Sequence, residues 1–421
     1  MERNLAMARR IARMAEKTGG RVYFVGGFVR DGVMGRESED VDIEIHGMTA
    51  DAVRKMLGEI GPWKEMGASF GVFALRGYTL DIALPRRGGG KGEEADIDPF
   101  MGVEEAARRR DFTMNAMMRD ALTGALIDRF GGQADIQNRV IRHVDEETFR
   151  RDPLRAIRAA QFAARLEFAI APETMALCRT LDLGGLARER VMGEMEKALT
   201  RSGRPSRCFE ALREMGQLEP WLKEVAALIG VKQRADCHPE GDAWTHTMLV
   251  VDEAAKLRDE AKNPAGLMLA ALLHDCTKKL SMEEQLALCE QYGIALDALE
   301  KKALKLLHAK TGAALARDVF GVDDEIYNAI LWHTTGKPDM TVLEKVIYLA
   351  DFIEPTRDFP GVDALRRTVW EDLDRGLLMG LEMTVEEMEE MGNPIHVNTL
   401  AARDYLKGKT NEGKAGSGQQ L

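Results

Sequence analysis

Apolar positions in residues 21–84 recur with two periods. "RVYFVGG" and "DVDIEIHG" alternate as strands do, and "VRDGVMG" starts a helix. "TADAVRKMLGEIG" spaces its apolar residues at helical intervals behind Thr49 or Asp51 as the cap. "FGVFALRG" and "YTLDIAL" form a hairpin pair. These elements predict a small mixed sheet with helices. "RRGGGKGEEADIDP" (86–99) is Gly-rich and charged and reads as a loop. From about residue 103 onward the pattern is nearly all helical. Pro220, Trp221 and the polar stretch 231–243 mark a boundary, and a second helical block fills 244–408. "GKTNEGKAGSGQQL" has the composition of a disordered tail. The fold class is therefore α+β, with a boundary near 231, a helical block to 408 and a tail at 409–421. No internal repeat is found.

Composition sharpens this picture at a few points. A chain of 421 residues, 45% hydrophobic, can bury cores in two to four domains. No run of about 18 uncharged apolar residues occurs, so no membrane span is expected. The first twenty residues alternate charged with apolar positions and read as an amphipathic helix, not a secretion signal. Five cysteines, at 178, 208, 237, 276 and 289, form no CxxC pair. Reduced thiols and a cytoplasmic setting are expected. Net charge is −11, which argues against a general coat of positive charge for nucleic acid. Residues 108–168 depart from that balance, with 12 Arg, no Lys and 9 acids. Arginine alone in excess suits forked contact with phosphates or base edges.

Chemistry gathers first at "GGFVRDGVMGRESEDVDIEI" (26–45). Gly26 and Gly27 let backbone approach a ligand, and the following helix N-terminus favours an anion. Asp40 and Asp42 are two apart and share one face of a strand. Glu44 continues the row, and Asp81 can reach in from a neighbouring strand. Carboxylates so arranged repel unless a cation such as Mg²⁺ sits between them. This stretch resembles the first motif of the tRNA nucleotidyltransferase and bacterial poly(A) polymerase superfamily. "RRRDFTMNAMMRD" (108–120), "DRFGGQADIQNRVIRHV", "RDPLRAIRAAQFAARLEF" (151–168) and "ERVMGEMEKAL" (189–199) resemble its later motifs in order.

The resemblance implies a nucleotidyltransferase head over 1–145 and a helical neck and body over 146–230. Asp40, Asp42 and Asp81 would be catalytic, the first two holding Mg²⁺. Gly26, Gly27, Arg30, Asp31, Arg109, Asp111, Asn115 and Arg158 would bind the nucleotide. Asp152 and Arg155, three apart on one helix face, would mimic a pairing partner for the base. The implied partners are tRNA, ATP and CTP. Position 151 is Arg where the family motif carries an acid, so the choice between C and A stays open. So does addition of only A, only CC, or a poly(A) tail.

A second constellation lies in the rear half. His246, His274, His308 and His333 fall at helical places, with Asp275 beside His274 and Asp351 in "VIYLADFIEP". Neutral imidazoles with carboxylates suit divalent transition metals, and an aspartate between two ions can bridge them. Lys278, one turn beyond His274, is placed to hold a phosphate. His46, His143, His238 and His396 have no such company and read as structural.

His246 and the His274–Asp275 pair resemble the HD superfamily of metal phosphohydrolases. Residues from "EQYGIALDALEKK" through "ADFIEPTRDFPGVDALR" are similar to the HD-type symmetrical diadenosine tetraphosphate hydrolases. That resemblance implies a two-iron centre in 231–408, a dinucleoside polyphosphate substrate cut to two ADP, and a phosphate-binding role for Arg357. A non-catalytic sensing or oligomerising module is the alternative. A homodimer is compatible with the sequence.

Overall fold

The structure, a computed structural model, describes residues 1–38, 40–66, 71–87, 96–233 and 239–416, with side chains through 409. His238, Cys237 and residues 88–95 of the Gly-rich loop lie outside the described residues. The chain divides into two compact units, Met1–Ala163 with Glu167–Val191, and Ala164–Leu166 with Met192–Leu421.

The front unit is built on strands β1 (Arg21–Val25), β2 (Val41–His46), β3 (Trp63–Glu65), β4 (Val72–Leu75), β5 (Leu80–Ala83), β6 (Met118–Asp120) and β7 (Leu126–Ile127). Their order is β3-β4-β5-β2-β1-β6-β7. All neighbours are antiparallel except β2 and β5, which run parallel with Asp42 opposite Asp81. Central β2 is buried along almost its whole length, with Val41, Ile43 and Ile45 on one face. Each such side chain contributes roughly 1.5–3 kcal/mol on burial. Alternation then puts Asp42, Glu44 and His46 on the opposite face.

Helix α1 (Glu2–Glu16) packs on β1 and β2 through an apolar stripe that includes Met7, Ala8, Ile11 and Ala15. Helix α2 (Gly26–Val33) starts at the glycine pair directly after β1. In α3 (Ala50–Ile60), Thr49 is the N-cap and accepts a 3.3 Å bond from Ala52 N–H. Helix α4 (Val103–Arg108) lends Ala106 and Ala107 to a cluster with Tyr23, Val25, Met101 and Met118.

The nearly all-helical pattern expected beyond residue 103 does not hold, because β6 and β7 extend the sheet there. The cause is local turn chemistry. The Asp120 carboxylate accepts from Leu122 N–H at 2.9 Å and Thr123 N–H at 2.8 Å, and Gly124 takes φ +74°. That closes a hairpin with strands too short to show a period. A second departure concerns Asp152. It stands outside helix α6 (Leu154–Leu166), whose N-cap is Pro153, and not on its face. A residue before proline is biased away from helical geometry.

Between these elements, α5 (Gly132–Gln137) begins against the turn that carries Thr113. In the rear unit, helices α7 (Ala243–Lys256), α8 (Pro264–Leu273), α9 (Leu304–Leu315), α10 (Asp324–Trp332) and α11 (Val342–Ile353) pack on one another. Helices α12 (Leu373–Glu390) and α13 (Val397–Gly416) follow. The tail expected from 409 thus starts within α13, and residues 417–421 lie outside the described residues. Cys178, Cys208, Cys276 and Cys289 are buried. Among the described residues no helix is long and apolar enough to cross a membrane.

Gly132 tests the packing of α5 against the turn that carries Thr113. A Cβ there would sit 2.4 Å from the Thr113 carbonyl oxygen and 2.9 Å from Met117 Cγ, so backbone must move. Gly132→Ala is expected to destabilise the front unit by roughly 1–3 kcal/mol, read as a lower melting temperature by calorimetry.

Candidate functional site

In the front unit, parallel pairing of β2 and β5 sets Asp42 beside Asp81. Asp40 lies just ahead of β2. Burial, then the charges of Asp81 and Asp40, push the Asp42 pKa up, with Arg110 opposing. Three carboxylates whose repulsion raises a pKa fit a hard divalent cation such as Mg²⁺. Gly26, at φ +64°, comes close to this group. A Cβ on it would lie 3.5 Å from Asp42 Oδ2 and 3.6 Å from Arg110 Nη1. A Cβ on Gly27 would lie 3.5 Å from Arg30 Nη2.

Glu44, next on the same face, is differently placed. Its carboxylate lies 2.9 Å from Arg110 Nη2 and 2.8 Å from His46 Nε2. Burial opposes its ionisation, but Arg110 and His46 outweigh that and lower its pKa. The row of acids therefore stops at Asp42 as far as a cation is concerned. His46 also holds the Met101 carbonyl at 3.1 Å, which accords with a structural place for it.

Beyond Glu44 opens a cavity of about 390 Å³. Arg109, Asp111, Asp152, Arg155 and Arg158 line it, as does Arg110. Arg86 and Arg151 add to its positive walls. Asp111 accepts from Arg158 Nε at 2.9 Å, from Asn115 Nδ2 at 3.0 Å and from Phe112 N–H at 2.7 Å. Burial opposes its charge, yet Arg158 and Asn115 hold its pKa below the ordinary value.

Arg30 and Asp31 lie behind this wall, not in it. Arg30 is clamped to Asp31 at 2.8 Å and donates to Asn115 Oδ1 at 2.9 Å, and both residues are buried. The two sequence-predicted base readers are not bonded to each other. Asp152 pairs with Arg190 at 3.1 Å. Arg155 donates to the carbonyls of Arg109 at 2.7 Å, Thr148 at 3.1 Å and Arg110 at 3.4 Å.

In the rear unit the six ligand-type residues converge. His246 comes from α7, His274 caps α8 with Asp275 next to it, His308 comes from α9, His333 caps α10 and Asp351 comes from α11. Asp275 lies between two groups. Its Oδ2 is 3.3 Å from His274 Nε2 and 3.8 Å from His246 Nε2. Its Oδ1 is 3.2 Å from His308 Nε2 and 3.8 Å from His333 Nε2. His246 Nε2 is also 2.8 Å from Asp351 Oδ1.

His274 and His333 each use Nδ1 on a backbone carbonyl, of Ala271 at 2.8 Å and Ile330 at 2.6 Å, which turns Nε2 inward. His308 and His333 bring their Nε2 atoms within 3.1 Å. His274 Nε2 and Asp275 Oδ1 are buried without a hydrogen-bond partner. Four imidazoles and two carboxylates that converge, two of their inward atoms buried without a hydrogen bond, are a donor set that fits divalent metal. Burial opposes the Asp275 charge, but His274 and Lys278 hold its pKa well below the carboxylate range. Burial drives the His308 pKa down to about 4, which leaves the ring neutral. Lys278 Nζ lies 2.7 Å from Asp275 Oδ2, and Arg357 Nη2 lies 2.9 Å from Asp351 Oδ1.

Four residues at these sites are absent from the sequence-derived set. Arg110 was hidden as the third of three arginines, and Glu44 was read only as one more acid. Glu240 and Glu354 approach His246 Nδ1 at 3.1 Å and 4.0 Å. The signal for Glu240 lay in "HPEGDAWTH", a stretch read as a boundary. His143 meets Thr174 Oγ1 at 2.8 Å, and His396 meets Glu300 at 3.3 Å, so both sit in local networks.

Residues 22–142 match the Poly A polymerase head domain, residues 167–229 the probable RNA and SrmB-binding site of polymerase A, and residues 243–356 the HD domain. The multifunctional CCA protein of Stenotrophomonas maltophilia (strain K279a) is 38% identical over 338 residues, 76% of this chain and 81% of that protein. The multifunctional CCA protein of Chromobacterium violaceum is 42% identical over 269 residues, 62% of this chain and 63% of that protein. Among solved structures, the Bacillus stearothermophilus CCA-adding enzyme in complex with CTP is 23% identical, with a TM-score of 0.52 over 93% of this chain and 100% of that one. At that identity the likeness establishes the α+β fold alone. The relative from Stenotrophomonas, matched through most of its length, places the chain in the multifunctional CCA protein family.

Proposed function

We propose that the front unit adds CCA, from CTP and ATP, to tRNA 3′ ends without a nucleic-acid template. We further propose that the rear unit hydrolyses a phosphoanhydride, with diadenosine tetraphosphate cut to two ADP. The names of the relatives support the first reading. The observation that carries it is the pairing of Asp42 with Asp81 beside an arginine-walled cavity. A Mg²⁺ ion held by Asp40 and Asp42 would neutralise charge on a triphosphate and on the primer hydroxyl. Arg109, Arg110 and Arg158 supply forked donors to the nucleotide, and Asp111 accepts from its sugar hydroxyls. Asp152 and Arg155, both on the cavity wall, are assigned the base edge. Arg151 takes no acid's role there. Its guanidinium lies 2.6 Å from Glu147.

The rear reading rests on Asp275, set between two pairs of imidazoles. Two divalent transition ions, iron by resemblance, would supply Lewis acidity and a nucleophile active at neutral pH. The protein's own part is to fix Nε2 of His274 and His333 through their backbone-bound Nδ1 atoms. Lys278 and Arg357, now on Asp275 and Asp351, are within reach of phosphate oxygens once ions take over those carboxylates.

Two active sites in one chain separate genetically. Asp42→Ala should lower nucleotide addition by at least about 10²–10³-fold while hydrolysis persists, and Asp275→Ala should do the reverse. The assays are sequencing of products from tRNAs ending before C, CC and A, and ADP release from diadenosine tetraphosphate. Loss of both activities with either change contradicts the two-site reading. Metal retained without turnover of any dinucleotide favours a sensing role for the rear unit.

Stripping ions with a chelator should also lower the melting temperature of the rear unit. Restoring an ion to a hundredfold its Kd stabilises by about 2.7 kcal/mol, roughly 5–10 °C for a unit of this size. Calorimetry with and without ion checks this, and Asp275→Ala should abolish the rise.

A further inference from the structure

His246 differs from His274 and His333 in what its Nδ1 faces. His274 and His333 turn Nδ1 to a carbonyl of their own helix. His246 instead turns Nδ1 toward the Glu240 carboxylate at 3.1 Å, and both side chains are about 1% exposed or less. Glu240 is not on any cage helix. It precedes α7 by three residues, where Asp242 caps the helix by accepting from Thr245 N–H at 2.8 Å.

A second element, the segment after α11, also holds Glu240. Thr356, five residues beyond Asp351, donates its hydroxyl to Glu240 Oε2 at 3.0 Å. The same hydroxyl is 2.8 Å from Glu354 Oε1. Glu354 has other donors, however, in Thr356 N–H at 2.8 Å and Arg357 Nε at 3.4 Å. Glu354 is also farther from His246, at 4.0 Å. An ion shared by Glu240, His246 Nδ1 and Glu354 is disfavoured, because the Arg357 guanidinium already supplies the positive charge at Glu354. The arrangement is therefore that of a carboxylate 3.1 Å from a buried ring nitrogen, close enough to take its proton once Nε2, now 2.8 Å from Asp351 Oδ1, is given to an ion.

We infer that Glu240, clipped in place by Thr356, is the positioning residue that holds His246 with Nδ1 protonated and Nε2 directed at the ion nearest Asp351. The inference rests on the reading that the rear cage holds metal. An imidazole can offer Nε2 as a lone pair only if its remaining proton sits on Nδ1, and a buried N–H requires an acceptor. Glu240 is that acceptor. It also fixes the ring plane, so one of the two ions depends on a residue outside the six ligands. The segment ahead of α7 and the segment after α11 meet at this one ring.

The test is Mn²⁺ titration of the full chain, followed by the free-ion resonance signal, in an Asp42→Ala background that silences the front acids. The parent is expected to take up two ions. Glu240→Ala should weaken one of them by about 10- to 100-fold and leave the other unchanged. Glu240→Gln keeps an acceptor oxygen and should stay within a few-fold of the parent. Thr356→Ala should weaken the same ion to a smaller degree, and Thr356→Ser should restore it.

Combining Glu240→Ala with His246→Ala should cost no more than His246→Ala alone, since Glu240 acts only through that ring. Circular dichroism and melting of the metal-free variants establish that each is folded. A parent that binds no ion overturns the cage reading and this inference with it. A parent that binds two, beside a folded Glu240→Ala of equal affinity at both, overturns the inference alone. Losses that add in the double variant, or that fall equally on both ions, also overturn it.

Discussion

Metal-ligand side chains crowded together beyond what the nearby Lys278 and Arg110 offset set the terms for both halves of this protein. Asp275 is fully buried among four imidazoles, and Asp42 stands against Asp81 and Asp40. Bringing such groups together costs energy that the fold alone does not return, because buried polar atoms without partners are costly. A divalent cation would repay that cost in each place, with different donors. Oxygen-only ligands on a strand face suit a hard ion that keeps water, and imidazoles around a shared carboxylate suit a transition metal. The scaffolds suit the donors. A strand repeats its side chains every second residue on one face, and convergent helix ends can aim several rings at one point.

Position along one strand decides what each acid can do. Asp42 and Glu44 share a face of β2 and differ in their neighbours. Glu44 is neutralised by Arg110 and His46, whereas Asp42 is next to Asp81. Arg110 connects the two situations, because it pairs with Glu44 and reaches toward Gly26 and Asp42 with its other nitrogen. Behind the cavity, a chain of bonds runs from Asp31 through Arg30, Asn115 and Asp111 to Arg158. Its charges alternate in sign, so each buried ion has an opposite neighbour. That joins α2, the turn after α4 and helix α6 into one wall.

Legibility in the sequence followed the range of the signal. The alternation of "DVDIEIHG" placed β2 and the face of Asp42 correctly, since period two needs only a few residues. The six rear ligands were recognisable by residue type and by their spread over successive helices, and they converge. Strands β6 and β7 were not recognisable, because two or three residues carry no period and their hairpin depends on Asp120 and Gly124. The place of Asp152 was misjudged from spacing alone, although Pro153 was there to exclude it from the helix. Glu240 stood in a polar stretch read as a boundary, and nothing in that stretch indicated its partner. Its partner Thr356 is 116 residues away in sequence, and only folding brings them together.

The same limit governs the reading of the nucleobase. Asp152 and Arg155 both face the cavity, yet each already has protein partners, Arg190 for one and three backbone carbonyls for the other. A base edge offered to this pair must compete with those bonds. Exchange of one charge-assisted bond for another is nearly neutral in energy, so the bonds present do not bar the assigned role. They do shape it. Arg155 anchors the backbone of Arg109 and Arg110, the same segment that presents arginines to the cavity, so moving its guanidinium toward a base would loosen that segment. Asp152 holds the exposed Arg190 at 3.1 Å and accepts from Leu154 N–H at 3.3 Å, so turning it costs those two bonds and moves no arginine of the cavity wall. On the proposed assignment, selection between C and A would fall first on the carboxylate, with Arg155 the more firmly held of the two.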